Sequence, residues 1–187
     1  MVYKAREVND SMTNYVLHVA RNLLAGTRDP AISIFGVAYK GNIGDTRESP
    51  AFKFIQLAEN EGYTIRCHDP YVGEFPHPLV DLADAAAGSD CIVVLADHDC
   101  FRTIDPAGLR VRTKLVIDAR NILDHEKWTD QGFAVRVLGD GSSVQQLPPG
   151  EVMPPAALYS TDAIRPIAPS LPPSISLLSP NGRGDFL

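Results

Sequence analysis

One short segment, residues 35–50, holds most of the chemistry this chain could perform. It carries two cations, Lys40 and Arg47, and three glycines, Gly36, Gly41 and Gly44, before reaching Ser49 and Pro50. Glycines let a backbone approach a ligand closely. Ser49 is a good N-cap, and Pro50 suits the first helical position because its missing N–H needs no partner there. A helix is therefore expected to start near Pro50, with its positive end toward the segment. Lys40, Arg47 and that helix end together suit a diphosphate. The competing reading is that Asp45, Arg47 and Glu48 pair with one another and only hold the shape of a loop.

The other reactive residue types are less organised. Cys67, Cys91 and Cys100 show no C-x-x-C spacing, so neither a zinc ribbon nor a disulfide framework is expected. They read as reduced, mostly buried thiols of a cytoplasmic protein. The five histidines are scattered without ligand spacing. His98 lies between Asp97 and Asp99, but a polar loop after a strand accounts for the triplet, and no metal is expected.

The elements that must position the segment follow from periodicity. Apolar runs at 31–37, 63–68, 91–95, 114–118 and 134–138 are rich in β-branched residues and nearly uninterrupted, as in strands covered on both faces. Helical spacing occupies 52–61, and 78–87 is rich in Ala and Leu. This alternation predicts an α/β fold: a Rossmann-like parallel sheet of about five strands, with helices on both faces. In such a sheet, phosphates bind at the carboxyl end of the first strand, where segment 35–50 lies. Asp69 follows the second strand, where a dinucleotide fold places its ribose acid; with Pro70 next, a turn-forming role is the alternative.

Upstream, Val8, Met12, Tyr15, Val16, Val19, Leu23 and Leu24 fall on one helical face that Gly26 is placed to end. Downstream, 145–187 holds nine of the fifteen prolines and no periodicity, and is expected to stay extended or disordered. The organisation expected is a helix over 1–26, an α/β domain over 27–144 and a proline-rich tail over 145–187. With 17 basic against 23 acidic side chains, the net charge of −6 argues against binding nucleic acid. No apolar run is long enough for a transmembrane helix, and the start lacks the apolar core of a secretory signal.

The segment from Gly36 to Pro50 closely resembles the C-terminal, UDP-binding domain of the UDP-glucose/GDP-mannose dehydrogenase family. Further matches are Asp69-Pro70-Tyr71, the stretch from Asp90 to His98, and Asp118-Ala119-Arg120-Asn121. The stretch from Ala5 to Met12 resembles the end of that family's long central helix, and the whole is most like its UDP-N-acetyl-D-mannosamine dehydrogenase branch. The resemblance covers about residues 5–139 and stops before the tail.

The resemblance implies an NAD-dependent oxidation of a UDP-sugar at C6, in polysaccharide biosynthesis. It assigns Tyr39 and Lys40 to the nucleotide sugar, Arg120 to its UDP moiety, and Arg47 to NAD across a gap between domains. The family's cysteine nucleophile motif and glycine-rich NAD domain have no counterpart in these residues. The chain is thus expected to be the back third of such an enzyme, inactive alone and not binding NAD alone. A stand-alone, non-catalytic nucleotide-sugar binding module is the alternative. The apolar stripe from Val8 to Leu24 is expected to find a partner, either as a homodimer or in a missing N-terminal half.

Overall fold

The computed structural model describes residues 2–139, with 2–11 described as backbone only. The tail expected over 145–187 lies outside the described residues. Five strands form one parallel sheet: β1 (Ala31–Phe35), β2 (Thr64–His68), β3 (Cys91–Val94), β4 (Leu115–Asp118) and β5 (Ala134–Val137), in the order β2-β1-β3-β4-β5. The helices are α1 (Val2–Leu23), α2 (Pro50–Asn60), α3 (Leu82–Ala86), α4 (Asp99–Arg102) and α5 (His125–Asp130), with a 3-10 turn at Pro106–Gly108.

The sheet has a separate core on each face. On one face, Val16, Leu17, Ala20 and Leu24 of the first helical segment and Phe54 and Ile55 of α2 pack on Ile32, Ile34, Ile65 and Val93. On the other, Ala85, Phe101, Trp128 and Phe133 pack on Phe35, Ile92, Val94 and Val116. Alternate residues of each central strand thus feed opposite cores, which is why those strands read as continuous apolar runs.

Two details differ from the periodicity. β2 alternates between exposed and buried, because Ile65 and Cys67 face the α2 side while Thr64 and Arg66 stay exposed at the edge of the sheet. The helix expected over 78–87 shrinks to Leu82–Ala86, since Val80 N–H bonds to Cys67 O (2.9 Å) and Leu79 forms a bridge to Cys67, holding that stretch extended. Much of the apolar stripe on α1 is already covered. Val16, Val19 and Leu24 are buried within the same domain, whereas Met12 remains 42% exposed. From Val16 onward the chain itself covers much of the stripe that was expected to find a partner.

β1 is joined to β2 on one side and neighbours β3 on the other. The strand order therefore reverses at the carboxyl ends of β1 and β3, where open α/β sheets bind ligands.

Candidate functional site: the loop after the first strand

The segment after β1 is a folded loop held from several directions. Its entry is bent by Gly36 at φ +88°, where a side chain would strike Ala96. Beyond it, the N–H groups of Val37 and Ala38 donate to Asp69 Oδ2 at 2.7 and 3.0 Å. The two arms of the loop close through Tyr39 N–H to Asp45 O at 2.8 Å. At its exit Ser49 caps α2, accepting from Ala51 N–H at 3.2 Å, with Pro50 in the first helical position as the sequence predicts.

The crest of the loop, residues 41 and 42, is gripped by the residues that follow β3. Gly41 N–H donates to Asp97 Oδ1 at 3.0 Å, and Asn42 N–H to His98 Nδ1 at 2.8 Å. The Asn42 side chain exchanges two bonds with Asp99, donating to Oδ2 at 2.7 Å and accepting from the N–H at 3.0 Å. Gly41 and Gly44 sit so close to the Asp97 and Tyr71 carbonyls that a side chain at either position would collide with backbone. Glycine is required here for close backbone packing, whereas at Gly36 it also supplies the left-handed φ.

Asp69 and His98 form the buried centre of this arrangement. Their side chains are fully buried, with Nε2 at 3.0 Å from Oδ2. Because Nδ1 accepts from Asn42, the ring hydrogen belongs on Nε2, and His98 donates to the carboxylate. Burial opposes ionisation of Asp69, but the bonds from His98 and from the N–H groups of Tyr71 and Val37 outweigh it and hold the carboxyl below its usual range. Asp69 therefore spends its acceptors on loop backbone and on His98, which decides for the turn-forming role over a ribose contact.

The loop after β4 is built in a similar way. Asp118 is buried and accepts from the N–H groups of Arg120 (3.1 Å), Ile122 (2.8 Å) and Leu123 (2.9 Å), and from His125 Nε2 (3.0 Å). That turn presents Arg120, whose guanidinium reaches Asp97 Oδ1 at 3.1 Å. One carboxylate oxygen of Asp97 thus joins the crest of the first loop to Arg120.

This geometry belongs with a known sequence pattern: a family model described as the UDP-binding domain of the UDP-glucose/GDP-mannose dehydrogenase family matches residues 33–125. The chain belongs to the UDP-glucose/GDP-mannose dehydrogenase family. A relative in Methanococcus maripaludis, named UDP-N-acetyl-D-mannosamine dehydrogenase, is 44% identical over 145 residues, 74% of this chain and 34% of that protein. A protein of the same name in Methanocaldococcus jannaschii is 40% identical, covering 76% of this chain and 34% of the relative. Among solved structures, the UDP-D-ManNAc dehydrogenase of Pyrococcus horikoshii is 32% identical with a TM-score of 0.59, over 69% of this chain and 31% of that one. This family domain therefore spans, with its flanks, about a third of the length of the curated relatives it matches (34%).

Within the UDP-binding domain, the four residues singled out from sequence all lie in loops at the carboxyl edge of the sheet. Tyr39 is 54% exposed, and Lys40 is exposed with no ion pair among the described residues. Arg120 is drawn to the same loop through Asp97, which also bonds Gly41. Arg47 points into solvent, its side chain 87% exposed, and lies on Asp45 with Nε and Nη2 at 2.9 and 2.7 Å. That hydrogen-bonded guanidinium pulls the Asp45 carboxyl down to about 2.

Sequence reasoning passed over Asp97, His98 and Asp99, which read as an ordinary polar loop. Their position just after β3, at the reversal of strand order, was the available signal. Among the described residues no group of His, Cys, Asp and Glu side chains could hold a metal ion, and no helix is long and apolar enough to cross a membrane.

Proposed function

We propose that this chain is the C-terminal, UDP-sugar-binding part of an NAD-dependent nucleotide-sugar 6-dehydrogenase, converting UDP-N-acetylmannosamine to the uronate in cytoplasmic polysaccharide biosynthesis. The observation that carries this reading is the pinned loop, which holds Lys40 and Tyr39 beside Arg120 at the edge of the sheet. The kinship with UDP-N-acetyl-D-mannosamine dehydrogenases supports the choice of sugar. Lys40 supplies an ammonium to the diphosphate, Arg120 a planar guanidinium to the UDP moiety, and Tyr39 an exposed ring and hydroxyl.

NAD, when bound, takes up hydride from the sugar alcohol. The described residues fit the rim of an NAD site rather than its centre: Asp69, in the ribose-acid position, is already committed to the loop, and the β1 turn is not G-x-G-x-x-G. Arg47 fits that rim, because Asp45 engages its Nε and Nη2 and leaves Nη1 for a second acceptor.

The three cysteines are poor nucleophiles. Burial pushes the Cys67 and Cys91 thiols up to about 12 and raises Cys100 as well. We therefore assign the covalent chemistry to residues beyond these 187, in an N-terminal half met through α1. A stand-alone binding module remains the second reading, favoured by the same thiols. Titration calorimetry of UDP into the full chain tests the binding role, with measurable, weak binding expected; no heat at millimolar UDP would overturn it. Co-expression with the N-terminal two-thirds of a relative separates the two readings. Recovered NADH production supports the dehydrogenase, and binding without recovery supports the module.

A further inference from the structure

We propose that His98 is a positioning residue of the nucleotide site, setting the crest of the Lys40 loop through the acceptor nitrogen of its ring; this rests on the UDP-binding reading above. His98 touches both parts of the loop that matter. Its Nε2 donates to Asp69 Oδ2, the oxygen that also receives the Val37 and Ala38 N–H groups at the loop entry. Its Nδ1 receives the N–H of Asn42, two residues beyond Lys40. One rigid ring therefore spans from entry to crest and fixes the spacing between them.

The ring itself has no freedom to swing. Tyr71 stacks on it with centroids 4.8 Å apart and planes 27° apart, and Phe101 makes a T-shaped contact with it, centroids 5.1 Å apart. The backbone it holds is one that needs holding: Asn42 has φ +61°, in the left-handed region. With Asp97 on the preceding N–H and Asp99 on the Asn42 side chain, the direction of the Lys40–Gly41 peptide is determined by side chains of the segment that follows β3. His98 reaches no solvent, being fully buried, so its influence on a ligand is exerted through the loop.

The two ring nitrogens can be replaced one at a time. In His98→Asn the amide oxygen takes the place of Nδ1 and keeps an acceptor for Asn42, while the donor to Asp69 is lost. In His98→Gln the amide nitrogen takes the place of Nε2 and keeps the donor to Asp69, leaving the Asn42 N–H unpaired. UDP affinity by calorimetry, melting temperature and hydrogen exchange of the Asn42 amide are measured on the full chain for both variants and the wild type.

A positioning role predicts that His98→Asn binds UDP within about twofold of wild type even though it melts lower. His98→Gln should bind roughly tenfold more weakly, the usual effect of one lost hydrogen bond. The Asn42 amide should exchange slowly in wild type and His98→Asn, and fast in His98→Gln. Affinity that follows melting temperature whichever nitrogen is replaced would reduce His98 to a core residue and overturn the proposal, as would unchanged affinity in both variants. A wild type that binds no UDP overturns the nucleotide reading instead, and the loop-setting role is then decided by the exchange of the Asn42 amide alone.

Discussion

The cations of the site differ in what already neutralises them. Arg47 lies on Asp45 and Arg120 on Asp97, whereas Lys40 has no ion pair among the described residues. A ligand phosphate can engage Lys40 without displacing an internal acid. Lys40→Ala should therefore weaken UDP binding by about 1–3 kcal/mol, read by titration calorimetry. Arg47→Ala should leave UDP affinity nearly unchanged in this chain, because the proposed function gives Arg47 to NAD and not to the nucleotide sugar. Its effect appears instead on Asp45, whose carboxyl ionises near 2 beside the guanidinium. A carboxyl with a depressed folded pKa contributes stability above its unfolded pKa of about 4 and loses that contribution as pH falls through the folded value. The Asp45–Arg47 brace should thus persist at pH 4 and fail approaching pH 2. An NMR titration of the Asp45 carboxyl should return to the ordinary carboxylate range in Arg47→Ala.

At the scale of elements, the loop after β1 depends on carboxylates from its neighbours. Asp69→Ala would leave the Val37 and Ala38 N–H groups and the His98 donor without their buried acceptor. The cost should be about 2–5 kcal/mol in urea denaturation, since several donors lose one charged partner together. Ser49→Ala should cost about 1 kcal/mol, the usual effect of losing an N-cap. These two residues also mark what sequence could reveal. Ser49 and Pro50 announce the start of α2 because a cap is a local device, complete within a few residues. The central strands were legible for a related reason, their apolar runs being continuous. The grip of Asp97 and His98 on the loop was not legible, because each bond joins residues 56 positions apart and leaves no periodic trace. The short helices α4 and α5 escaped too, since Asp99–Arg102 and His125–Asp130 each span less than two turns. Arg120 was legible only by resemblance, as nothing in its spacing points to the Asp118 turn that presents it.

For the molecule as a whole, the thiols set the expectation for chemistry. The full chain mixed with UDP-N-acetylmannosamine and NAD should give no NADH above a blank; a measurable signal would reveal a nucleophile among these residues. The packing of α1 bears on a different matter, where this fold can be cut. The family match begins at residue 33, yet Val16, Leu17, Ala20 and Leu24 complete the core beneath α2. Burying each larger one of these side chains is worth about 1.5–3 kcal/mol, against a total stability of about 5–15 kcal/mol for a domain. A chain shortened to begin at residue 27 should lose its cooperative melting transition by circular dichroism, whereas one beginning at 12 should keep it. The piece of sequence that the family model matches and the piece that can fold therefore have different edges, and any exchange of this domain between genes must carry the end of the preceding helix with it.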